Sequence, residues 1–212
     1  MSGTGPISVQ GDYSAAGYAL LEGLLGAELA KALLDRIWSD VGGETVQLRH
    51  APPNALLTGP AMELHGARHP PLTAFFWGLT PLVAQLTGTP LLPTYCFFRL
   101  YRRGDRLRVH ADRHACEHSL SLTLGYSDGE VWPFEIGERA AVTGSAEDFG
   151  DEPFASLAMR PGDAVLYRGI DRRHGRVSPN PNAWSAHLFC HWVAADGPHR
   201  HLAFEDVVTA DS

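Results

Sequence analysis

The stretch His118-Ser119-Leu120-Ser121-Leu122-Thr123-Leu124 alternates strictly, so in an extended chain the leucines take one side and Ser119, Ser121 and Thr123 take the other. One apolar and one small polar face predict a strand that packs on a core with one side and lines a polar cavity with the other. Outward from it, period-two segments recur near 95–101, 131–137, 156–160, 163–168 and 185–194, separated by turn residues. From Pro90 onward the chain therefore reads as β structure.

Upstream the period changes. Leu21, Leu25, Leu29, Leu33 and Ile37 recur every fourth position and predict a helical stripe, regular from about Ala27 because Gly23 and Gly26 come before it, and ended by Gly42-Gly43. Residues 49–60 hold three prolines and a glycine and read as an irregular loop. Pro70-Pro71 opens a second helix that runs to Leu86 and stops at Gly88, with Pro81 expected to split it. The first dozen residues, with three glycines, read as a loose terminus. Two helical segments followed by six or more short strands predict a mainly β fold, a curved sandwich or barrel buttressed by N-terminal helices. One domain over 1–212 is expected: helical support over 1–89, β core over 90–195 and a tail over 196–212.

With 44% hydrophobic and 19% charged residues the chain has an ordinary globular composition, and no apolar run approaches the ~20 residues of a membrane span. Seventeen Lys and Arg against 24 Asp and Glu give a net charge of -7, which argues against nucleic-acid or anionic-lipid partners. Met1-Ser2-Gly3-Thr4-Gly5-Pro6 lacks the charged start and apolar stretch of a secretory signal, so a cytoplasmic address is expected. Cys96, Cys116 and Cys190, odd in number and widely spaced, predict buried thiols rather than a disulfide framework or zinc knuckle. No Gly-rich phosphate loop, Rossmann fingerprint or Ser-His-Asp context supports a nucleotide-binding or hydrolase reading.

Among 11 histidines, His110-Ala111-Asp112 is the informative pair, because residues i and i+2 of an extended chain point to the same side and can share one cation. Such a pair arises by chance in a His-rich chain and gains weight only from a third ligand. His174 is the candidate, 62 residues after Asp112 and beyond the turn-and-strand segment Gly162-Asp163-Ala164-Val165-Leu166-Tyr167-Arg168. Two imidazoles and one carboxylate on one side of an ion suit non-haem Fe(II), although the same set holds Zn, Mn, Co or Ni. His114, Cys116 and His118 are set aside as a second site, since the chain already reads as strand at His118, and His199-Arg200-His201 reads as solvated tail. Trp132, Phe134, Trp184 and Trp192 are core aromatics or the wall of a substrate pocket.

The run Tyr101-Arg102-Arg103-Gly104-Asp105-Arg106-Leu107-Arg108-Val109-His110-Ala111-Asp112, then Gly162-Asp163-Ala164-Val165-Leu166-Tyr167, then His174, resembles the iron- and 2-oxoglutarate-dependent dioxygenases, near the prolyl-4-hydroxylase-like branch, over roughly 90–195. The resemblance implies a double-stranded β-helix (a jelly-roll, cupin-like core) whose open end holds Fe(II) on His110, Asp112 and His174. It further implies 2-oxoglutarate as cosubstrate hydrogen-bonded by Tyr101, O2 as oxidant, and hydroxylation of a small molecule, amino acid or peptide side chain with release of succinate and CO2. In that family an Arg or Lys some ten residues after the distal His anchors the far carboxylate of the cosubstrate. Here Trp184 takes that place, and Ser185, His187, Phe189 and His191 share one face of the last strand without a cation. If Tyr101 faces the cavity as the family pattern implies, Arg99 two residues earlier faces it too, and a guanidinium pairs well with a carboxylate. Arg99 is therefore the expected anchor, assisted by His187, with Arg176 the lesser candidate. Two other readings stand beside this one: a sensory or non-catalytic metal-binding jelly-roll, and a cupin-type metal enzyme that uses no 2-oxoglutarate. Imidazole ligation predicts a metal affinity that falls as pH drops below ~6.5.

Overall fold

A computed structural model describes residues 7–42, 48–141 and 144–205, and the expectations for Met1–Pro6, for Gly43 and for the end of the tail lie outside the described residues. In chain order the elements are β1 (Ser8–Gln10), α1 (Tyr13–Ala16), β2 (Tyr18–Glu22), α2 (Ala27–Val41), β3 (Arg49–Ala51), β4 (Ala61–His65), α3 (Pro70–Thr87), β5 (Leu91–Arg102), β6 (Leu107–His110), β7 (His118–Tyr126), β8 (Phe134–Gly137), β9 (Ser145–Ala146), β10 (Phe154–Leu157), β11 (Ala164–Tyr167), β12 (His174–Arg176) and β13 (Trp184–Ala194). The strands form two antiparallel sheets, ordered β1-β2-β11-β7-β13-β5-β4-β3 and β10-β8-β12-β6-β9. From β5 to β13 the chain passes back and forth between the sheets, which is a jelly-roll path. Among the described residues no helix is long and apolar enough to cross a membrane.

The alternation of β7 decides how the layers stack. Leu120, Leu122 and Leu124 join Leu34 and Ile37 of α2, Phe76 and Val83 of α3, and Leu188 and Trp192 of β13 in the principal core. Ser119, Ser121 and Thr123, all fully buried, take the opposite face, between the two sheets. Rings such as Phe76 and Trp192, packed 5.0 Å apart, bury roughly 150–250 Å² each, so at ~25 cal/mol per Å² each contributes about 4–6 kcal/mol of transfer free energy.

Several expectations are corrected. The loose terminus is in part ordered: β1 pairs antiparallel with β2, and the Asp12 carboxylate caps α1 by accepting from the Ser14 and Ala15 N–H groups. Leu21 therefore lies in a strand. Within α2 the buried positions are Ala30, Leu34 and Ile37, while Leu29 is 55% exposed. A repeat of four advances ~400° around a helix with 3.6 residues per turn, so it drifts off any one face. Part of the expected loop at 49–60 is β3, an edge strand paired with β4. Pro81 does not split α3: Pro81 and Trp77, four residues earlier, are both exposed, so the carbonyl deprived of its donor faces water. Gly88, at φ +68, ends the helix in the left-handed conformation and donates its N–H to Ala84 O.

Candidate metal centre

β6 and β12 are neighbours in the smaller sheet, and His110 lies directly opposite His174. Their ring centroids are 4.5 Å apart. The Nδ1 of His110 stands 2.8 Å from Arg108 O, and that of His174 3.0 Å from Arg172 O. A carbonyl only accepts, so each Nδ1 carries the proton and each Nε2 presents a bare lone pair. Asp112 follows the end of β6, and its Oδ1 lies 3.5 Å from both Nε2 atoms. That spacing is close to the ~3–3.5 Å between neighbouring donors that each sit ~2.1 Å from a shared ion. The three donor atoms fall within 4.8 Å of one another, so the structure brings residues 110, 112 and 174 together.

The loop around Asp112 is tightly held. Its N–H donates to Gly169 O at 2.9 Å. A Cβ on Gly169 would lie 2.3 Å from Cys116 O, 2.5 Å from Asp112 Oδ2 and 2.7 Å from Ser119 Oγ, so only glycine lets these groups close up. The Ser119 hydroxyl lies 3.1 Å from Cys116 O, 3.2 Å from Asp112 Oδ2 and 2.8 Å from His191 Nδ1, so its single proton is shared between the carbonyl, the carboxylate and the ring. Burial by itself would raise the Asp112 carboxyl, but His174 and His110, when protonated at the Nε2 atoms that face it, hold it well below the usual carboxylate range, and a bound cation would take the place of those protons. Burial pushes His191 down to about 4, so that ring is neutral, and its Nε2 has no partner. Asp112, Cys116 and His191 form a second close group, but burial, with Asp112 beside it, raises the Cys116 thiol well above its ordinary range. The thiol instead contacts Tyr95 OH at 3.1 Å.

The trio opens on a cavity of about 480 Å³ whose other walls include Tyr95, Phe97, Phe189, Glu63, His65 and Arg99. Arg99 thus faces the cavity, but its charge is engaged: Nε and Nη2 donate to Glu63 Oε1 at 2.7 and 2.5 Å, and Nη1 donates to Tyr101 OH at 3.1 Å. Tyr101 and His187 are fully buried in the layer beneath, with ring centroids 5.8 Å apart. Burial, with Arg176 and Arg99 nearby, holds His187 well below the usual imidazole range. Of the four aromatics singled out in the sequence, Trp132, Phe134 and Trp192 are completely buried. His118 is spoken for by Tyr13 OH at 2.7 Å, and His114 stacks on His199. All three cysteines are free and buried.

Sequence reasoning missed Glu63, Gly169 and the supporting role of Ser119. Glu63 sits on β4, directly opposite Arg99 on β5, in a region that carried no clear strand signal. The polar face of β7 was a usable signal for Ser119.

Fold and site together define a class: a jelly-roll with two histidines and a carboxylate converging on one side of a cavity. No family model matches the chain, and no curated protein matches it in sequence. Solved structures do. The epimerase SnoN in complex with Fe3+, alpha ketoglutarate and nogalamycin RO superposes with a TM-score of 0.67 at 14% identity, over 94% of this chain and 89% of that one. HygX from Streptomyces hygroscopicus with nickel and 2-oxoglutarate bound gives 0.64 at 12% identity, covering 87% and 85%. A prolyl-4-hydroxylase from Pseudomonas putida gives 0.57 at 17% identity, covering 85% and 95%. The chain shares the fold of these three proteins.

Proposed function

We propose that this protein is an Fe(II)- and 2-oxoglutarate-dependent oxygenase with its catalytic core over 90–195, acting on a small molecule, amino acid or peptide side chain. The observation that carries the reading is the convergence of His110 Nε2, Asp112 Oδ1 and His174 Nε2 beside a cavity, with both Nδ1 protons tied to carbonyls. The similar structures named with iron or nickel and 2-oxoglutarate support it. So do buried, unpartnered polar atoms on the inner strands, Ser121 Oγ, His187 Nε2 and His191 Nε2, because native interiors rarely leave such atoms unpaired unless a polar guest belongs there.

In this reading His110, Asp112 and His174 would hold the ion at the edge of the cavity. Bound iron supplies the oxidising chemistry: 2-oxoglutarate and O2 are converted to succinate and CO2, and the second oxygen atom goes to the substrate. Ser119 lies within hydrogen-bond reach of Asp112 Oδ2, the Asp112 N–H is held by Gly169 O, and the missing side chain at Gly169 leaves room for that carboxylate oxygen. Tyr95, Phe97 and Phe189 exclude water and offer aromatic walls to an apolar part of the substrate, with Glu63, Arg99 and His65 providing polar contacts at the same cavity. Tyr101 and His187, in the layer beneath, are assigned to the cosubstrate.

The test is anaerobic addition of Fe(II) and 2-oxoglutarate, which should produce a weak visible charge-transfer band, followed by air, which should yield succinate. Absence of both from metal-loaded protein would favour a non-catalytic or 2-oxoglutarate-independent metal site. Hydroxylation adds one oxygen to the product, whereas SnoN and SnoK are named as an epimerase and a carbocyclase. Product mass separates these outcomes here.

A further inference from the structure

We infer that Arg176, with His187 beside it, anchors the far carboxylate of 2-oxoglutarate in this protein. This rests on the cosubstrate reading given above and goes beyond it by assigning a residue on β12, where an anchor on the last strand is missing.

Arg176 is completely buried, and among the described residues it is the only buried arginine. Its Nη1 donates to Trp132 O, its Nη2 lies 3.8 Å from Met159 Sδ and 3.3 Å from His187 Nδ1, and its Nε has no partner. Its guanidinium lies over the rings of Trp132 and Phe134, 4.8 and 5.6 Å from their centroids. Among the described residues no carboxylate forms an ion pair with it. Glu135, the acid whose carboxyl responds to Arg176, accepts instead from Val177 N–H at 3.2 Å. Arg99 differs in this respect, since Glu63 already neutralises it. A fully buried cation without an anion is unfavourable, and an apolar surround makes an arriving carboxylate bind it strongly. Arg176 is thus a buried cation of the inner layer that no carboxylate among the described residues pairs with, Glu135 acting on it only from beyond ion-pair distance.

Position agrees with charge. His174 and Arg176 lie two residues apart on β12, about 6.6 Å along a regular strand, with the pairing to β6 shifting register between them. The far carboxylate of 2-oxoglutarate lies roughly 5–6 Å from its chelating end, given four C–C bonds of about 1.5 Å. A cosubstrate chelated beside His174 and running inward along β12 therefore brings that carboxylate to the guanidinium. Unpaired Ser121 Oγ and His187 Nε2 lie in the same interior, on β7 and β13. Phe189, which faces Ser121 across those strands, lines the cavity, whereas Arg176 and His187 lie behind its wall.

The experiment compares 2-oxoglutarate with 2-oxopentanoate, the same chain without the far carboxylate, by titrating the anaerobic Fe(II) protein and reading the charge-transfer band. Wild type should prefer 2-oxoglutarate on the order of 100-fold, and Arg176→Met should bring the ratio within about threefold while 2-oxopentanoate still binds. Arg176→Lys, which keeps a charge but loses the fork, should fall between, and it carries the same test if the methionine variant does not fold. Three results overturn the inference: a variant that keeps the wild-type ratio, a variant that loses both acids equally, or a ratio that collapses in Arg99→Met but not in Arg176→Met. A wild type that binds neither acid would instead overturn the cosubstrate reading itself.

Discussion

Glu63→Gln tests the electrostatics of the cavity wall. Glu63 and Arg99 are paired across β4 and β5, with Glu63 7% exposed, so replacing the carboxylate by an isosteric amide leaves a guanidinium largely out of water with only a neutral acceptor. Burial would raise the Glu63 carboxyl, but His65 and Arg99 bring it from 4.5 down to about 2. His65 Nε2, 3.6 Å off, adds to this when protonated, and Arg99 is the hydrogen-bonded partner, so the energies below are upper bounds for the Arg99 pair alone. At about 1.4 kcal/mol per tenfold change in proton affinity, the shift corresponds to about 3 kcal/mol of stability. Because the folded value lies below the unfolded one, this contribution is fully present above pH 4.5 and is lost as pH falls through about 2. At pH 7 the variant should therefore be about 3 kcal/mol less stable than wild type, and by pH 3 the gap should narrow to about 1.4 kcal/mol. Urea unfolding of the metal-free protein at both pH values measures it. A gap that is constant or widens toward acid would refute the assignment of Glu63 as an ionised, Arg99-paired carboxylate.

Gly169→Ala forces a methyl into contact with Cys116 O, Asp112 Oδ2 and Ser119 Oγ, and should cost about 1–3 kcal/mol and weaken Fe(II) binding at least about tenfold, read by thermal melting and equilibrium dialysis. An alanine variant that binds metal normally would show that Asp112 does not need its present place. His174→Ala should reduce bound metal from one equivalent to none and abolish succinate formation, with far-ultraviolet circular dichroism unchanged; retained stoichiometry would remove His174 from the ligand set. On β7, Leu122→Ala should cost about 2–5 kcal/mol, whereas Ser121→Ala, one residue away on the other face, should stay within about 1 kcal/mol in the metal-free protein. Equal costs at 121 and 122 would contradict the two-faced reading of that strand.

Much of the β core was legible because local alternation of apolar and polar residues reports which face of a strand is buried. The segments read near 118–124, 163–168 and 185–194 correspond to β7, β11 and β13, and α2 begins at the expected Ala27. What escaped were short edge elements such as β1 and β3, three residues each, whose pairing is set by the neighbouring strand rather than by their own pattern. The stripe of leucines also misled at Leu29, since a repeat of four only approximates the helical period.

Composition and spacing alone determined the strand alternation, the imidazole and carboxylate at 110 and 112 as candidate ligands, and His174 as a third candidate far along the chain. Only the tertiary structure decided that His110 and His174 face each other across β6 and β12, that Glu63 takes the charge of Arg99, and that Arg176 is left buried without an anion. The physical reason is that alternation is a property of neighbours in sequence. The partner of a buried charge depends on which strands fold side by side, and no local pattern carries that information.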